Sequence, residues 1–206
     1  MGNYLRMVIV LSVITLFSGL ALGGLNELTY ERAQNNILKF KKIPAVADIY
    51  GIVAGGYASD SDRAKIEEGL LAEKMFLDVG EKEPVLFFVV KKEGEPYAVA
   101  LENFGTGFGG DLGVMAGFTL ESGELVGIGI TTLSETPGLG TRVKDDVFTG
   151  QFPGMPGPVY KVKKDGGAID AVSGATISSR AVAEAITRAK EFFEAHQEEI
   201  RQAVSK

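Results

Sequence analysis

Hydrophobic and polar positions change period several times along the chain. Residues 7–26, MVIVLSVITLFSGLALGGLN, contain no charge. A helix rises 1.5 Å per residue, so about 20 apolar residues span a bilayer, and this run predicts a transmembrane helix. Residues 28–42, LTYERAQNNILKFKK, keep helical spacing but carry charged faces, which predicts continuation as a stalk. The stretch IPAVADIYGIVAGG has no single period and reads as mixed, with strand character near its end. SDSDRAKIEEGLLAEKMF opens on serine and aspartate, as a helix N-terminus does, and Ile66, Leu70, Leu71 and Met75 recur at helical spacing.

Strand signals follow. PVLFFVVKK predicts a strand, and EGEP a hairpin turn into YAVALE. DLGVMAGFTLE and LVGIGITTL predict a second hairpin around SGE, and VYKVKK and AIDAV two further short strands. From Ser178 to the end the pattern is that of one long amphipathic helix, with Val182, Ala185, Ile186, Ala189 and Phe193 on the face that meets the sheet. The expected fold is α+β: a twisted, mostly antiparallel sheet with packed helices, plus one N-terminal transmembrane helix. The expected divisions are an N-terminus and anchor at 1–26, a helical stalk at 27–42 and a globular domain at 43–206.

Charge orients the anchor. Arg6 precedes the apolar run, and Glu27 and Glu31 follow it. Positive charge stays inside, so the N-terminus is expected in the cytoplasm and the body on the extracytoplasmic side of the inner membrane. Ala21-Leu22-Gly23 offers an alternative, a signal-peptide cleavage site. The run exceeds the roughly 7–15 residues of a signal-peptide core, which favours a retained anchor, and both readings leave the body outside.

Composition narrows the chemistry. Of 206 residues, 21 are Lys or Arg and 27 are Asp or Glu, a net charge of −6 that lacks the basic footprint of nucleic-acid binding. There is no cysteine, hence no thiol nucleophile, disulfide or iron–sulfur ligand. The single histidine, His196, sits in an acidic helical stretch and reads as a solvated helix residue. No metal site is expected, and any redox cofactor is expected to be organic.

Glycine is abundant, 27 residues, against an average usage of roughly 7%. Three small-residue loops follow predicted strands: GTGFGGDL, SETPGLGTRV and VSGATISS. Each also reads as a plain tight turn. Taken together they suit a flat, anionic ligand. Gly138 and Gly140 permit close backbone approach, Leu139 and Phe108 offer apolar contact to a ring, and a phosphate fits the helix N-terminus at SGATISS. Neither the Walker loop nor the GxGxxG dinucleotide turn is present. Thr176 has two readings. Propensity alone favours a helix cap, a role open equally to Ser173 and Ser178. The other reading is a covalent attachment point. Glu135 is open in the same way: it hydrogen-bonds a ligand or orders its own loop.

The pattern Asp170, Ser173, Gly174, Ala175, Thr176, Ser178, Ser179 resembles the flavinylation motif of the FMN-binding domain family. SETPGLG resembles that family's second motif, and GFGGDL a third that lies near the flavin. The whole layout is similar to the G subunits of the Rnf electron-transport complex. The C subunits of the sodium-translocating NADH:quinone reductase share the anchor, domain and motif, but carry longer insertions. The resemblance implies covalent FMN, its phosphate esterified to the Thr176 hydroxyl by a flavin transferase that recognises Asp170, Gly174, Ala175 and Thr176. It implies a cofactor site of Ser173, Gly174, Ala175, Ser178, Glu135, Thr136, Gly138, Leu139, Gly140, Phe108 and Gly109, with no catalytic residue. It further implies an electron carrier that is not a catalyst alone, within a translocase coupling ferredoxin and NAD chemistry to Na+ or H+ movement. The implied partners are the other Rnf proteins, A, B, C, D and E, especially the membrane flavoprotein D and the iron–sulfur-containing membrane pair A/E. A reading of a different class is an anchored sensor or assembly domain in which Thr176 only caps a helix.

Overall fold

The computed structural model describes residues 2–80 and 84–205. Met1, the first residue of the expected 1–26 division, and Lys206, where the expected last helix ends, lie outside the described residues. The chain forms two compact units, one ending at Leu38 and one beginning at Lys39. The first is a single helix, α1 (Gly2–Ile37), long and apolar enough to cross a membrane and with no buried residue.

The second unit is α+β. After a π-helical turn at Leu38–Lys42 come α2 (Ile43–Ala54), α3 (Asp60–Ala72), β1 (Met75–Leu77), β2 (Val85–Lys92), β3 (Glu95–Thr106), β4 (Asp111–Thr119), β5 (Leu125–Thr132), α4 (Asp146–Thr149), α5 (Thr176–Ala195) and α6 (Gln197–Val204). The five strands form one antiparallel meander in sequence order, with β4 paired on both sides. Strand residues alternate between faces. Phe118 of β4 stacks on Phe193 of α5, while its neighbour Gly117 faces Ile49 of α2. The sheet therefore lies between α5 and α2. Covering both faces explains why β4 is buried continuously from Leu112 to Thr119 rather than at every second residue.

Glycine sets the spacing on both faces. A Cβ at Gly117, Gly127 or Gly129 would strike Ile49, Ile52 or Ala45 of α2. On the other face a Cβ at Gly105 of β3 would collide with the Ala181 backbone of α5. All five residues assigned to the inner face of α5, Val182, Ala185, Ile186, Ala189 and Phe193, are buried. Lys190, also buried, donates to the Gly123 carbonyl at 2.6 Å and lies over the Phe118 and Phe193 rings, pinning the β4–β5 turn to the helix. On the α2 side, Lys42 pairs with Glu102 of β3 at 2.7 Å, and Glu102 also accepts from the Thr131 hydroxyl of β5.

Several expectations are corrected. IPAVADIYGIVAGG is helix α2, not a mixed stretch with strand character. Pro44 suits the first turn, and Gly55, left-handed at φ 77°, closes the end by donating to Gly51 and Ile52 carbonyls. Its buried Ile43, Val46, Ala47 and Ile49 gain more from packing on the sheet than β-branching costs the helix. The helix expected through Met75 stops at Ala72, and Met75 opens β1. Ser59 caps its start, accepting from the Asp62 amide at 3.3 Å. VYKVKK and AIDAV form only one parallel bridge, Val162 to Ile169, because a 3-10 turn at Lys163–Asp165 and left-handed Gly166 reverse the chain between them. The last helix breaks at His196, whose φ of −121° leaves helical geometry. His196 is half-buried at that break with its ring against Phe192, not a solvated mid-helix residue. Arg201 of α6 donates to the Leu120 and Glu121 carbonyls, which the break allows.

Candidate functional site

The three small-residue loops meet at one end of the sheet, and Glu135 joins them. The turn between β3 and β4 folds on itself through a bond from the Gly107 amide to the Gly110 carbonyl at 3.0 Å. It then presents two consecutive amides, Phe108 at 2.8 Å and Gly109 at 3.3 Å, to Glu135 Oε1. The other oxygen, Oε2, accepts from the buried Ser178 hydroxyl of α5 at 2.8 Å. Glu135 is itself buried, although Ser134 and Thr136 beside it are exposed. The approach is close enough to demand glycine. A Cβ at Gly109 would collide with the Ser134 carbonyl, and one at Gly140 would lie 2.5 Å from Glu135 Oε2 and 2.7 Å from Ser178 Oγ.

After Glu135 the chain makes a tight loop. The amides of Leu139 and Thr141 donate to the Thr136 carbonyl at 3.2 and 3.4 Å, and the Gly138 amide donates to the Thr141 hydroxyl at 3.0 Å. Gly138 is left-handed at φ 77°, with open space where a Cβ would stand. Gly138→Val is therefore expected to cost the roughly 1–2 kcal/mol of a left-handed residue, without a clash. A thermal melt that does not fall would contradict it.

The third loop enters α5 through Gly174, left-handed at φ 80°. The Leu139 side chain closes over this turn, with Cδ2 3.4 Å from where a Gly174 Cβ would stand. Ser179 pins the turn: its hydroxyl donates to the Ala175 carbonyl at 2.9 Å and accepts from the Val172 amide at 3.0 Å. The cap position belongs to Ala175, which offers no side-chain bond. None of Ser173, Thr176 and Ser178 caps the helix. Thr176 is the first helical residue, partly buried, and its hydroxyl has no hydrogen-bond partner among the described residues. The first intrahelical bond runs from the Ser179 amide to the Ala175 carbonyl, so the amides of Thr176, Ile177 and Ser178 precede the ladder.

Around this point Phe108, Leu139 and Ile177 are exposed apolar side chains. Asp170 lies on the surface, paired with Lys163 at 2.7 Å, and its backbone is held by Gln151. Arg180 grips Asp165 with two bonds of 2.7 Å, and that hydrogen bonding holds the Asp165 carboxyl below its ordinary range. A groove of about 1010 Å³ lies elsewhere, between α2, β5 and the 141–153 segment, and none of the expected site residues lines it. In it Arg63 pairs with Asp48 at 2.8 Å, while burial raises the Asp48 carboxyl and pushes the Tyr57 hydroxyl up to about 12.

Two features of the site escaped the sequence. The clamping role of Ser179 had only a weak signal, a second serine after Thr176. Ile177 stood in the VSGATISS loop ahead of the helix expected from Ser178, with no role assigned, whereas α5 already begins at Thr176 and leaves its side chain exposed.

The antiparallel α+β fold agrees with comparison to known proteins. Residues 107–191 match the FMN-binding domain family, as the motifs at Phe108, Ser134 and Thr176 imply. The chain is 37% identical over 123 residues to the G subunit of the ion-translocating oxidoreductase complex of Cereibacter sphaeroides, covering 56% of each chain. It is 34% identical over 116 residues to the protein of the same name from Methanosarcina acetivorans, covering 55% of this chain and 62% of that one. The matched region thus spans less than two thirds of these relatives. In fold, the chain resembles the C subunit of the Na+-translocating NADH-quinone reductase of Parabacteroides distasonis, with a TM-score of 0.57, 20% identity and coverage of 74% of this chain and 92% of that chain.

Proposed function

We propose that this protein is a membrane-anchored electron-transfer subunit that carries FMN as a phosphoester on Thr176. The observation that carries the reading is the Thr176 hydroxyl, unpaired among the described residues at the first position of α5 and inside the matched FMN-binding region. The surroundings fit a flavin phosphate. Esterification to a side-chain hydroxyl leaves a phosphodiester with one charge, which the free amides of Thr176, Ile177 and Ser178 accommodate at the helix terminus. Gly174 in the left-handed region lets the chain turn tightly ahead of those amides. Leu139 and Phe108 supply apolar surface beside the turn. FMN held there supplies reversible electron transfer, while the protein contributes position and electrostatics. A covalent link keeps the cofactor at a high effective concentration at its site.

Similarity to G subunits at 37% and 34% identity favours an Rnf-type complex over the quinone reductase, to whose C subunit the likeness is one of fold. In that setting the partners are the Rnf proteins A, B, C, D and E, notably the flavoprotein D and the pair A/E, with a flavin transferase needed for maturation. Coupling to Na+ or H+ belongs to those partners, because one helix builds no ion path. A sensor or assembly role in which Thr176 merely caps the helix is disfavoured by the cap position falling on Ala175.

The full-length protein, coexpressed with a flavin transferase, is expected to keep its flavin through denaturation. It is expected to be reduced by dithionite but not to oxidise NADH. Colourless protein, or flavin that washes out on denaturation, would refute the covalent assignment, and rapid NADH turnover would refute the relay. With residues 1–26 as N-terminus and anchor and 27–42 as stalk, the body is expected outside the cytoplasm. Protease added to intact spheroplasts should then cut it. Digestion only in inverted vesicles would reverse the topology.

A further inference from the structure

Glu135 is buried, yet none of the lysines and arginines among the described residues forms an ion pair with it. A buried carboxylate without a cation needs hydrogen-bond donors instead. It has three, all from other segments: the Phe108 and Gly109 amides and the Ser178 hydroxyl. Both oxygens are thus engaged by protein. A Cβ at Gly107 would collide with Oε1, and one at Gly140 would lie 2.5 Å from Oε2, so backbone from two loops closes around the group.

We infer that Glu135 is a positioning residue. It does not bind the cofactor but locks the Gly107–Gly110 turn, its own loop and the first turn of α5 into one arrangement, which fixes Thr176 relative to Phe108 and Leu139. This inference rests on the proposed flavin site only for its second consequence, control of the flavin environment. The first consequence, coupling of three loops, belongs to the protein alone. Glutamine tests the geometry. Its carbonyl oxygen accepts from the Phe108 and Gly109 amides, and its NH2 group donates to Ser178 Oγ. Glu135→Gln therefore keeps all three bonds without the charge, whereas Glu135→Ala removes them and leaves the donors buried.

The experiment uses the full-length protein in detergent, prepared with and without flavin transferase. In the flavin-free protein, amide hydrogen exchange at Phe108, Gly109 and Ser179, whose amide makes the first bond of α5, is expected to speed up together, by roughly tenfold or more, in Glu135→Ala. It is expected to stay near the wild-type rate in Glu135→Gln. Ser178→Ala should release the α5 turn while Phe108 and Gly109 remain protected. In the flavin-loaded protein, Glu135→Ala should shift the visible absorption band and the midpoint potential. Glu135→Gln should keep the band shape while its potential rises, since an anion near the flavin is lost. Unchanged exchange at Phe108 and Gly109 in Glu135→Ala would overturn the coupling. Changed exchange with unchanged flavin spectrum and potential would overturn the control of the flavin. Wild-type protein that carries no flavin would refute the proposed function instead, with the loop coupling still decided by the exchange rates.

Discussion

Thr176→Ala is expected to abolish covalent flavin while leaving the fold intact. Flavin fluorescence should vanish from the protein band on a denaturing gel, with the far-ultraviolet circular dichroism and melting temperature held. The separation is clean because Thr176 contributes little to the fold. The cap position is Ala175, the Thr176 hydroxyl bonds nothing among the described residues, and the side chain is only partly buried. Alanine is at least as good a helix former, so the stability change should stay within about 0.5 kcal/mol. Loss of flavin could then not be ascribed to unfolding. Thr176→Ser keeps a hydroxyl at the same point and should retain label. Fluorescence that persists in Thr176→Ala would move the attachment to another residue.

Gly105→Val is expected to give the largest loss of stability. At Gly105, β3 touches the backbone of α5 directly: an added Cβ would lie 2.7 Å from the Ala181 carbonyl carbon and 2.9 Å from its Cα. A side chain could rotate away from such a clash, but a helix backbone cannot. α5 must lift off the sheet, loosening Val182, Ala185 and Ile186 together and moving the turn that presents Thr176. Overpacking of this kind costs about 3 kcal/mol, a large part of the roughly 5–15 kcal/mol that stabilises a typical domain. The melting temperature should fall by several degrees. Gly69→Ala is the control. Gly69 lies in α3 with nothing within 4 Å of an added Cβ, so the substitution should stabilise by about 0.5–1 kcal/mol. A Gly105→Val protein as stable as wild type would contradict the close packing of β3 on α5.

Local period made most elements legible. The two hairpins, the apolar N-terminal helix and the inner face of α5 repeat at two or about 3.6 residues, and each appears where its pattern puts it. α2 was hidden because its apolar residues are dense and include β-branched Ile43, Val46 and Ile49. Only the sheet on which they pack decides for helix. The strands expected at 159–164 and 168–172 failed because Gly166 and the turn before it left room for one bridge. In the site, Gly138, Gly140 and Gly174 were visible as turn chemistry. The convergence on Glu135 was not, since its donors stand 27, 26 and 43 residues away in sequence. No local pattern encodes contacts at that range.

Peptide mass spectrometry on the full-length protein, purified after coexpression with a flavin transferase and digested under denaturing conditions, tests the central claim most directly. A phosphoester predicts that the peptide containing Thr176 gains the mass of FMN less one water, with fragmentation placing the addition on Thr176. An unmodified Thr176 peptide from yellow protein, with the flavin recovered free in solution, would contradict it.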